Sequence, residues 1–395
     1  MILKGENIIC FAPHPWEDTW RRRHQVLSRL SPHNKVLFIE PPLFFGRKIA
    51  RKDSPREIFG FRAQEVLPNL YALPTTYMLP FSRYPLIARF NTAIILKVVG
   101  REVRRLGLSN PIMWAYLNPI TNRFRGRYGE KLVVYDCYDK YTGYAMNTPA
   151  ENRQIESREL DLAKQADLVF AVSPQLAEYH KRAHSRVFMV PNGVDVNLIA
   201  SSEPAKEAMD ELERIPRPRI GYVGQISPKL DFELLAYVAR SNPQWSLVFI
   251  GPEIMTEELA EDVRLLKDLK GNPNVHFLGS KPYHQLASYI DKFDVCLMPF
   301  KQDSRTESSS PIKFYEYCAC GKPTVSVPIP ALAEHRALYY EAATKEGFAM
   351  EIGRALAESG NHLKDRRISF AHGNTWDSRI EYISRLIYQT LLHGE

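Results

Sequence analysis

The residues whose types and spacing best suit chemistry lie in Ser308–Val327, SSSPIKFYEYCACGKPTVSV. Three hydroxyls precede Pro311, a residue suited to a first helical position because its missing N–H costs nothing there. The free amides of the next turn, together with the helix dipole, make an anion site. Lys313 adds a mobile positive charge, and Glu316 lies one turn below Ile312 on the same helical face. Hydroxyls, amides, a lysine and then a carboxylate suit a ligand in which phosphate stands next to a diol, and a nucleoside diphosphate has both. An ordinary capped helix with water-facing charges is the competing reading, so the rest of the chain must decide.

The elements that would position this stretch repeat a simple pattern. Expected strands are Asn7–Ala12, Lys35–Glu40, Ile112–Leu117, Leu132–Cys137, Leu168–Val172 and Arg186–Pro191 in the first half. Arg219–Val223, Ser246–Ile250, Val275–Leu278, Val295–Pro299 and Thr324–Val327 follow in the second. Runs such as LVVY, LVFAV and VCLMPF are continuously apolar, as in strands buried on both faces. Helical patterns fall between them at Trp20–Leu30, Leu86–Leu106, Glu151–Gln165, Asp231–Ser241, Glu257–Lys270 and Tyr283–Lys292. Strands alternating with helices predict parallel α/β sheets, and two such series predict two doubly wound domains. The polar, proline-punctuated Asn197–Pro218 reads as the linker, and residues 41–85, rich in proline and aromatics, as an excursion near the cleft. Trp376–Leu392 has the spacing of an amphipathic helix.

Open parallel sheets bind ligands beyond the carboxyl ends of their strands. In the second half, Gly224 ends one strand and is followed by Gln225 and by Lys229, expected to open the next helix. Gly279 and Lys281 form a further strand-end turn beside Tyr283. No GxGxxG occurs, which disfavours a dinucleotide dehydrogenase. In the first half, His14, Trp16, Glu17 and Asp18 occupy the turn after the first strand, Arg23 and His24 the next helix, and Asp136 and Asp139 the end of Leu132–Cys137. Each is a cleft candidate by position, with capping and salt bridging as the alternatives.

Bulk properties narrow the class. A chain of 395 residues is too long for one ordinary core. It has no apolar run near the roughly 20 residues of a membrane span, and its first ten residues lack a signal-peptide core, so a cytoplasmic location is expected. Five cysteines, mostly in apolar strand-like contexts, argue for buried thiols and against a disulfide framework. Cys318 and Cys320 are too close together for a zinc pair. The net charge of +7 is uneven: residues 1–200 hold 29 Lys and Arg against 18 Asp and Glu, a net of +11, and the remainder is −4. The basic half, with Arg21–Arg23, Arg47-Lys48, Arg51-Lys52 and Arg123-Arg125-Arg127, predicts an anionic partner. A membrane surface fits better than nucleic acid, for which no motif is present.

Taken together, Asn192-Gly-Val-Asp195, Ile220–Gly224, Asn274–Gly279, Asp294–Pro299, Ser310–Tyr317 and Gly321–Val325 resemble the donor half of retaining GT-B glycosyltransferases of family 4 (group 1). Tyr135–Asp139 and Ala166–Ser173 are similar to the branch that includes teichuronic-acid and exopolysaccharide transferases. The resemblance implies two Rossmann-like domains facing across a cleft: residues 1–196 for the acceptor, residues 197–375 for a nucleotide-sugar, and 376–395 a helix packing back toward the first. It implies a UDP- or GDP-type donor, retention of configuration, no metal and no other cofactor, and a glycan or lipid-linked acceptor. Glu316 matches the position that holds the ribose hydroxyls; Ser309, Ser310, Pro311 and Ile312 match the diphosphate loop, and Lys229 a diphosphate ligand. Gly224, Gly279, Lys281 and Lys313 complete the donor set. His14, Asp136, Lys229 and Lys313 are the catalytic candidates, and Trp16, Arg23, His24 and Asp139 the acceptor candidates. Two departures stand out. Gln225 replaces a common arginine, and Ser308 replaces the first of two paired glutamates, with Glu307 one residue out of register. Alternatives are a sugar-nucleotide epimerase on the same fold and a non-catalytic scaffold that binds anionic glycan.

Overall fold

Apolar runs bounded by turn residues form the strands, and the computed structural model places them in two sheets. It describes residues 2–18, 20–44, 62–74, 77–78, 84–118, 121–144, 147–200, 206–255 and 259–393. The strands are β1 (Asn7–Phe11), β2 (Lys35–Ile39), β3 (Leu43–Phe44), β4 (Gln64–Leu67), β5 (Leu70–Leu73), β6 (Tyr77–Met78), β7 (Ile112–Ala115), β8 (Leu132–Cys137), β9 (Leu168–Ala171), β10 (Val187–Met189), β11 (Arg219–Val223), β12 (Ser246–Ile250), β13 (Val275–Phe277), β14 (Val295–Met298), β15 (Thr324–Ser326) and β16 (Tyr340–Glu341).

The first sheet runs β10-β9-β8-β7-β1-β2-β5-β4 and the second β13-β12-β11-β14-β15-β16, with β3 and β6 as a separate pair. All pairings in the second sheet are parallel. In the first, β4 alone is antiparallel, paired to β5 through a turn in which Asn69 has φ of 60°. The strand order reverses between β1 and β7 and again between β11 and β14. Neighbouring crossover helices leave on opposite faces at such points, and a crevice opens beyond the strand ends. The Pro/aromatic-rich excursion lies mostly outside the described residues, as do the Arg47-Lys48 and Arg51-Lys52 clusters.

Burial follows the pleat. Ile9, Phe11, Leu37 and Met113 face one core of the first sheet, while Ile8, Cys10, Val36 and Trp114 face the other. A third core fills the second sheet, from Ile220 and Leu247 to Phe348 and Ile352. The Trp376–His393 helix belongs to a first-sheet core: Trp376, Ile380, Ile383 and Ile387 are fully buried among Ile8, Phe38 and Trp114. The Ser384 hydroxyl accepts from the Leu3 amide at 2.9 Å and the Tyr388 hydroxyl from the Lys4 amide at 2.9 Å. Among the described residues, no helix is long and apolar enough to cross a membrane.

Sequence patterns did not reveal β4, β5, β16 or the helices Pro174–Lys181, Lys345–Leu356 and His362–Gly373. Two had legible starts: Ser173 and Thr344 cap their helices by accepting from the Leu176 and Gly347 amides. Because Ile383 is a fully buried contact of the returning helix with this core, Ile383→Ala should cost about 2–5 kcal/mol. Four of the five tryptophans (Trp16, Trp20, Trp114, Trp376) report on this region. The midpoint of the tryptophan-fluorescence transition in urea should therefore fall; an unchanged midpoint would show that the helix is not integral to that core.

Candidate functional site

The helix Ile312–Ala319 begins one residue later than expected. Pro311 is its N-cap, with extended backbone at φ −70° and ψ 119°. Its end is a Schellman stop: Gly321, at φ 66°, donates to the Cys318 carbonyl at 2.9 Å and Lys322 to the Tyr317 carbonyl at 2.9 Å. The stop turns the chain into β15, and the start is held from the other half of the molecule. The Asn192 side-chain amide donates to the Ser310 carbonyl at 2.6 Å, and the Asn192 backbone amide to the Ser310 hydroxyl at 3.3 Å. The Ser173 hydroxyl donates to the Ser308 carbonyl at 2.7 Å. Ser309 donates to the Thr306 carbonyl at 2.9 Å. The three serines are thus buried and engaged in holding the loop, and the Ser309 and Ser310 hydroxyls are not presented to a ligand as the sequence reading expected. What the loop leaves at the cleft is the helix start, Lys313 and Glu316.

Lys313 crosses the strand-end turn of β11. Gly224 has φ of 142°, and a Cβ there would collide with the Lys313 side chain, so only glycine lets the lysine pass. Its Nζ lies 5.3 Å from the Tyr222 ring centroid. Lys229 sits in the turn before the Phe232–Ser241 helix, which Asp231 caps; it precedes the helix instead of opening it. The Lys229 carbonyl accepts from the Lys301 amide at 2.9 Å, and its Nζ lies 4.7 Å from the Phe300 ring centroid. Burial lowers the Lys313 ammonium to about 8, against the upward pull of Glu316 and with Lys229 and Arg21 adding to the depression. Burial lowers Lys229 as well, opposed by Asp139. Arg21, Lys229 and Lys313 therefore concentrate positive charge at one place, and Arg21, on the first-half side, reads in the sequence as part of a basic run and not as a site residue.

Glu316 faces this cluster from the second turn. It accepts from the Tyr283 hydroxyl at 3.2 Å. Burial raises its carboxyl, opposed by Lys313 and by that hydrogen bond. Tyr283 in turn accepts from the Gln25 side chain at 3.2 Å and stacks on Trp20 at 6.4 Å between centroids, so the wall beside Glu316 is built from both halves. Lys281 is turned away: its ammonium pairs with Glu211 at 2.6 Å and lies 5.4 Å from the Tyr289 ring centroid. Gly279, at φ 70°, has open space where a Cβ would be, and its carbonyl accepts from the Gly251 amide at 2.8 Å. Glu307 is exposed at the end of Ser304–Glu307 while Ser308 is buried, so neither brings a carboxylate to the paired-glutamate position.

On the first-half side the structure sorts the candidates. His14 and Asp139 belong to the cluster: burial, then Arg21 and Arg23, lowers His14 to about 4, while Asp18 and Asp139 pull the other way. A neutral imidazole follows near pH 7, with its Nδ1 3.7 Å from Asp18. Asp139 accepts from the Tyr144 hydroxyl at 2.6 Å and from the Lys140 amide at 2.9 Å. Asp136 does not reach the cleft. It is buried, bound by the Arg22 guanidinium at 2.9 Å and by the Tyr116 hydroxyl at 3.0 Å, which corrects its expected catalytic position. Arg22 also donates to the Val190 carbonyl at 3.0 Å, so this pair ties the first-half strand ends together. Trp16, Arg23 and His24 are also buried. Trp16 packs edge-on to Phe38, Arg23 donates to Asp18 at 3.2 Å, and His24 spans Trp16 and Arg21. They shape the turn that presents His14 and do not line an acceptor surface. Arg305 enters from the opposite side, its guanidinium 5.0 Å from the Tyr144 ring centroid.

The arrangement is a crevice at the strand ends in which Arg21, Lys229 and Lys313 stand with Glu316 and Asp139, beside two switch points. Residues 217–358 match the family model described as glycosyl transferases group 1. The putative teichuronic acid biosynthesis glycosyltransferase TuaH of Bacillus subtilis (strain 168) is 26% identical over 269 residues, covering 64% of this chain and 66% of that protein. Sucrose-phosphate synthase from Thermosynechococcus elongatus superposes with a TM-score of 0.74 at 16% identity, over 99% of this chain and 100% of that one. Anabaena HepE in complex with UDP and glucose does so at 0.67 and 14%, over 96% and 99%. These two likenesses concern the fold.

The lowered Lys313 value gives a signed pH dependence. Its charge is present below about pH 8 and lost above it. If Lys313 binds anions, pyrophosphate affinity measured by calorimetry should fall as pH rises through 8, by at most about tenfold per pH unit. Lys313→Arg, which keeps its charge, should flatten that limb. A flat profile in the unaltered protein would remove Lys313 from anion binding.

Proposed function

We propose that the chain is a group 1 glycosyltransferase, in keeping with the matches to its second half and to TuaH and with the GT-B fold, and that it transfers a hexose from a UDP-sugar to a glycan or lipid-linked glycan, with retention of configuration. The observation that carries this reading is the approach of Lys313 and Lys229 to one strand-end turn with Glu316 one helical turn beyond. Negative charge builds on the diphosphate as the glycosidic bond breaks. Fixed ammonium groups and helix-start amides stabilise that charge without reorganising. Glu316 holds the ribose diol. The neutral His14 imidazole, beside Asp139, is suited to hydrogen-bond an acceptor hydroxyl or the sugar while the departing phosphate oxygen takes the acceptor proton. Residues 197–375 serve the donor, residues 1–196 the acceptor, and 376–395 join the latter.

A UDP donor is supported by the likeness to HepE, whose structure holds UDP and glucose. A role in polysaccharide synthesis is supported by the similarity to TuaH. The rival reading, a non-catalytic scaffold, draws on Gln225 and on the buried Ser308. Hydrogen bonds to a charged group are worth about 1.5–3 kcal/mol. Glu316→Gln should therefore lower kcat/KM for the UDP-sugar by about 10- to 100-fold with the fold intact by circular dichroism. Near-normal turnover would sink the ribose assignment, and UDP binding without turnover on any acceptor would favour the scaffold.

The acceptor side also carries a surface suited to anionic lipid. The Pro85–Leu106 helix exposes Leu86, Phe90 and the preceding Tyr84, with 78%, 54% and 52% of their surface open. Exposed Arg89, Lys97, Arg101 and Arg104 continue the same face. An apolar tip beside basic residues favours the interface of an acidic bilayer. Co-sedimentation with vesicles containing phosphatidylglycerol should be strong at low salt and should drop on Leu86→Asp with Phe90→Asp. Equal binding to neutral vesicles, or insensitivity to the double substitution, would exclude this surface.

A further inference from the structure

Behind the cleft, three side chains from separate elements converge in the first-sheet core. They are Cys137 at the end of β8, Glu159 in the Pro149–Gln165 helix and His180 in the Pro174–Lys181 helix. One donor atom from each lies within 4.8 Å of the others, and all three residues are buried. Neither ring nitrogen of His180 has a hydrogen-bond partner, although the residue has no exposed surface. Tyr135 and Tyr179 meet the imidazole edge-on, at 5.3 and 4.9 Å between centroids, and neither hydroxyl bonds to it. A buried imidazole with both nitrogens unpaired is expensive, and such an orphan calls for an ion or a water.

We propose that Cys137, Glu159 and His180 form a binding site for one thiophilic divalent cation, zinc in class. Thiolate, imidazole and carboxylate together suit zinc, whereas magnesium and calcium prefer oxygen alone. Tetrahedral coordination with Zn–S about 2.3 Å and Zn–N about 2.0 Å puts donors about 3.5 Å apart. The donors, all within 4.8 Å of one another, would have to close by about 1 Å to reach that spacing, and the fourth position would be left to water. The surroundings are already those of such a site. The Tyr135 hydroxyl donates to Glu159 at 3.1 Å, the type of outer contact that orients a ligating carboxylate. Burial raises Glu159 to about 7, raises the Cys137 thiol well above its ordinary range and lowers His180 to about 4. All three groups can thus be neutral in the empty pocket. Binding releases the thiol proton, and the carboxyl proton where it is present, to solvent; the cation supplies the charge that the thiolate and carboxylate need. The ion would staple β8 to its two following helices, immediately before the loop that bears Asp139.

The test uses the full chain, produced in zinc-supplemented medium and again with cobalt. Wild-type protein should retain about one zinc per chain after gel filtration, and its melting temperature should fall by roughly 5 °C on chelation and recover with added ZnCl2. The cobalt form should show thiolate-to-metal absorption in the near ultraviolet. Cys137→Ser, close in shape, should keep the fold by circular dichroism while losing that band and the retained metal. His180→Gln should retain at least tenfold less zinc. Absence of stoichiometric metal from wild type, or a thiolate band that survives Cys137→Ser, overturns the proposal. None of these readings depends on glycosyl transfer, so failure here leaves the donor site untouched.

Discussion

The hydrogen bond from the Asn192 amide to the Ser310 carbonyl is where the two halves of the molecule become one site. Net of competition with water, such a bond is worth only about 1 kcal/mol. Its importance is geometric. It fixes the last residues before the helix that carries Lys313 and Glu316, using a residue that follows β10 of the other sheet. The Ser173–Ser308 bond repeats the arrangement two residues earlier. Within the first half, Arg29 bridges Asp195 at 2.6 Å and Asp377 at 2.8 Å, so its helix, the chain after β10 and the returning C-terminal helix are joined through one guanidinium. Movement of one half against the other must break the Asn192 and Ser173 bonds, while the Arg29 contacts stay within the first half.

Charge is sorted by depth. Asp136 is deep, and Arg22 and Tyr116 supply its partners, so it is a fixed component of the sheet end. Asp139 is nearer the crevice and influences both His14 and Lys229. Lys281 is neutralised by Glu211 at the periphery. In the crevice Arg21, Lys229 and Lys313 stand with the carboxylates of Glu316 and Asp139, and Asp18 lies 3.8 Å from Arg21. Burial is the chief cause of the depression of both lysines, and a phosphate group bound beside them would supply the counter-charge that favours their protonated forms.

Much of this was legible in the chain. Runs such as LVVY and LVFI read as strands buried on both faces and formed them, because few other arrangements bury such a run completely. SSSPIKFYEY read as a loop entering a short helix, and Gly321 as its stop. The individual roles of the serines, Asp136, Trp16, Arg23 and His24 were not legible, because a residue after a strand can turn toward the crevice or back into the core with the same sequence context. Arg22 and Asp136 are neighbours only once β8 lies beside β7 and the first helix crosses above them. Cys137, Glu159 and His180 follow no spacing motif; their meeting depends on two crossover helices packing on one face.

The sequence by itself determined the period of the elements, the two sheet series, and the residue types at each strand-end turn, because burial and turn chemistry act locally. It also determined that Gly224 is bare enough for another side chain to pass. Only the tertiary structure decided which side chain that is, namely Lys313. It likewise decided that Tyr283 and Gln25 meet beside Glu316, that the Ser309 hydroxyl is occupied by the loop itself and that the Ser310 hydroxyl is held by the Asn192 amide. Those outcomes follow from the register of two separately wound sheets, a long-range property that no local pattern encodes.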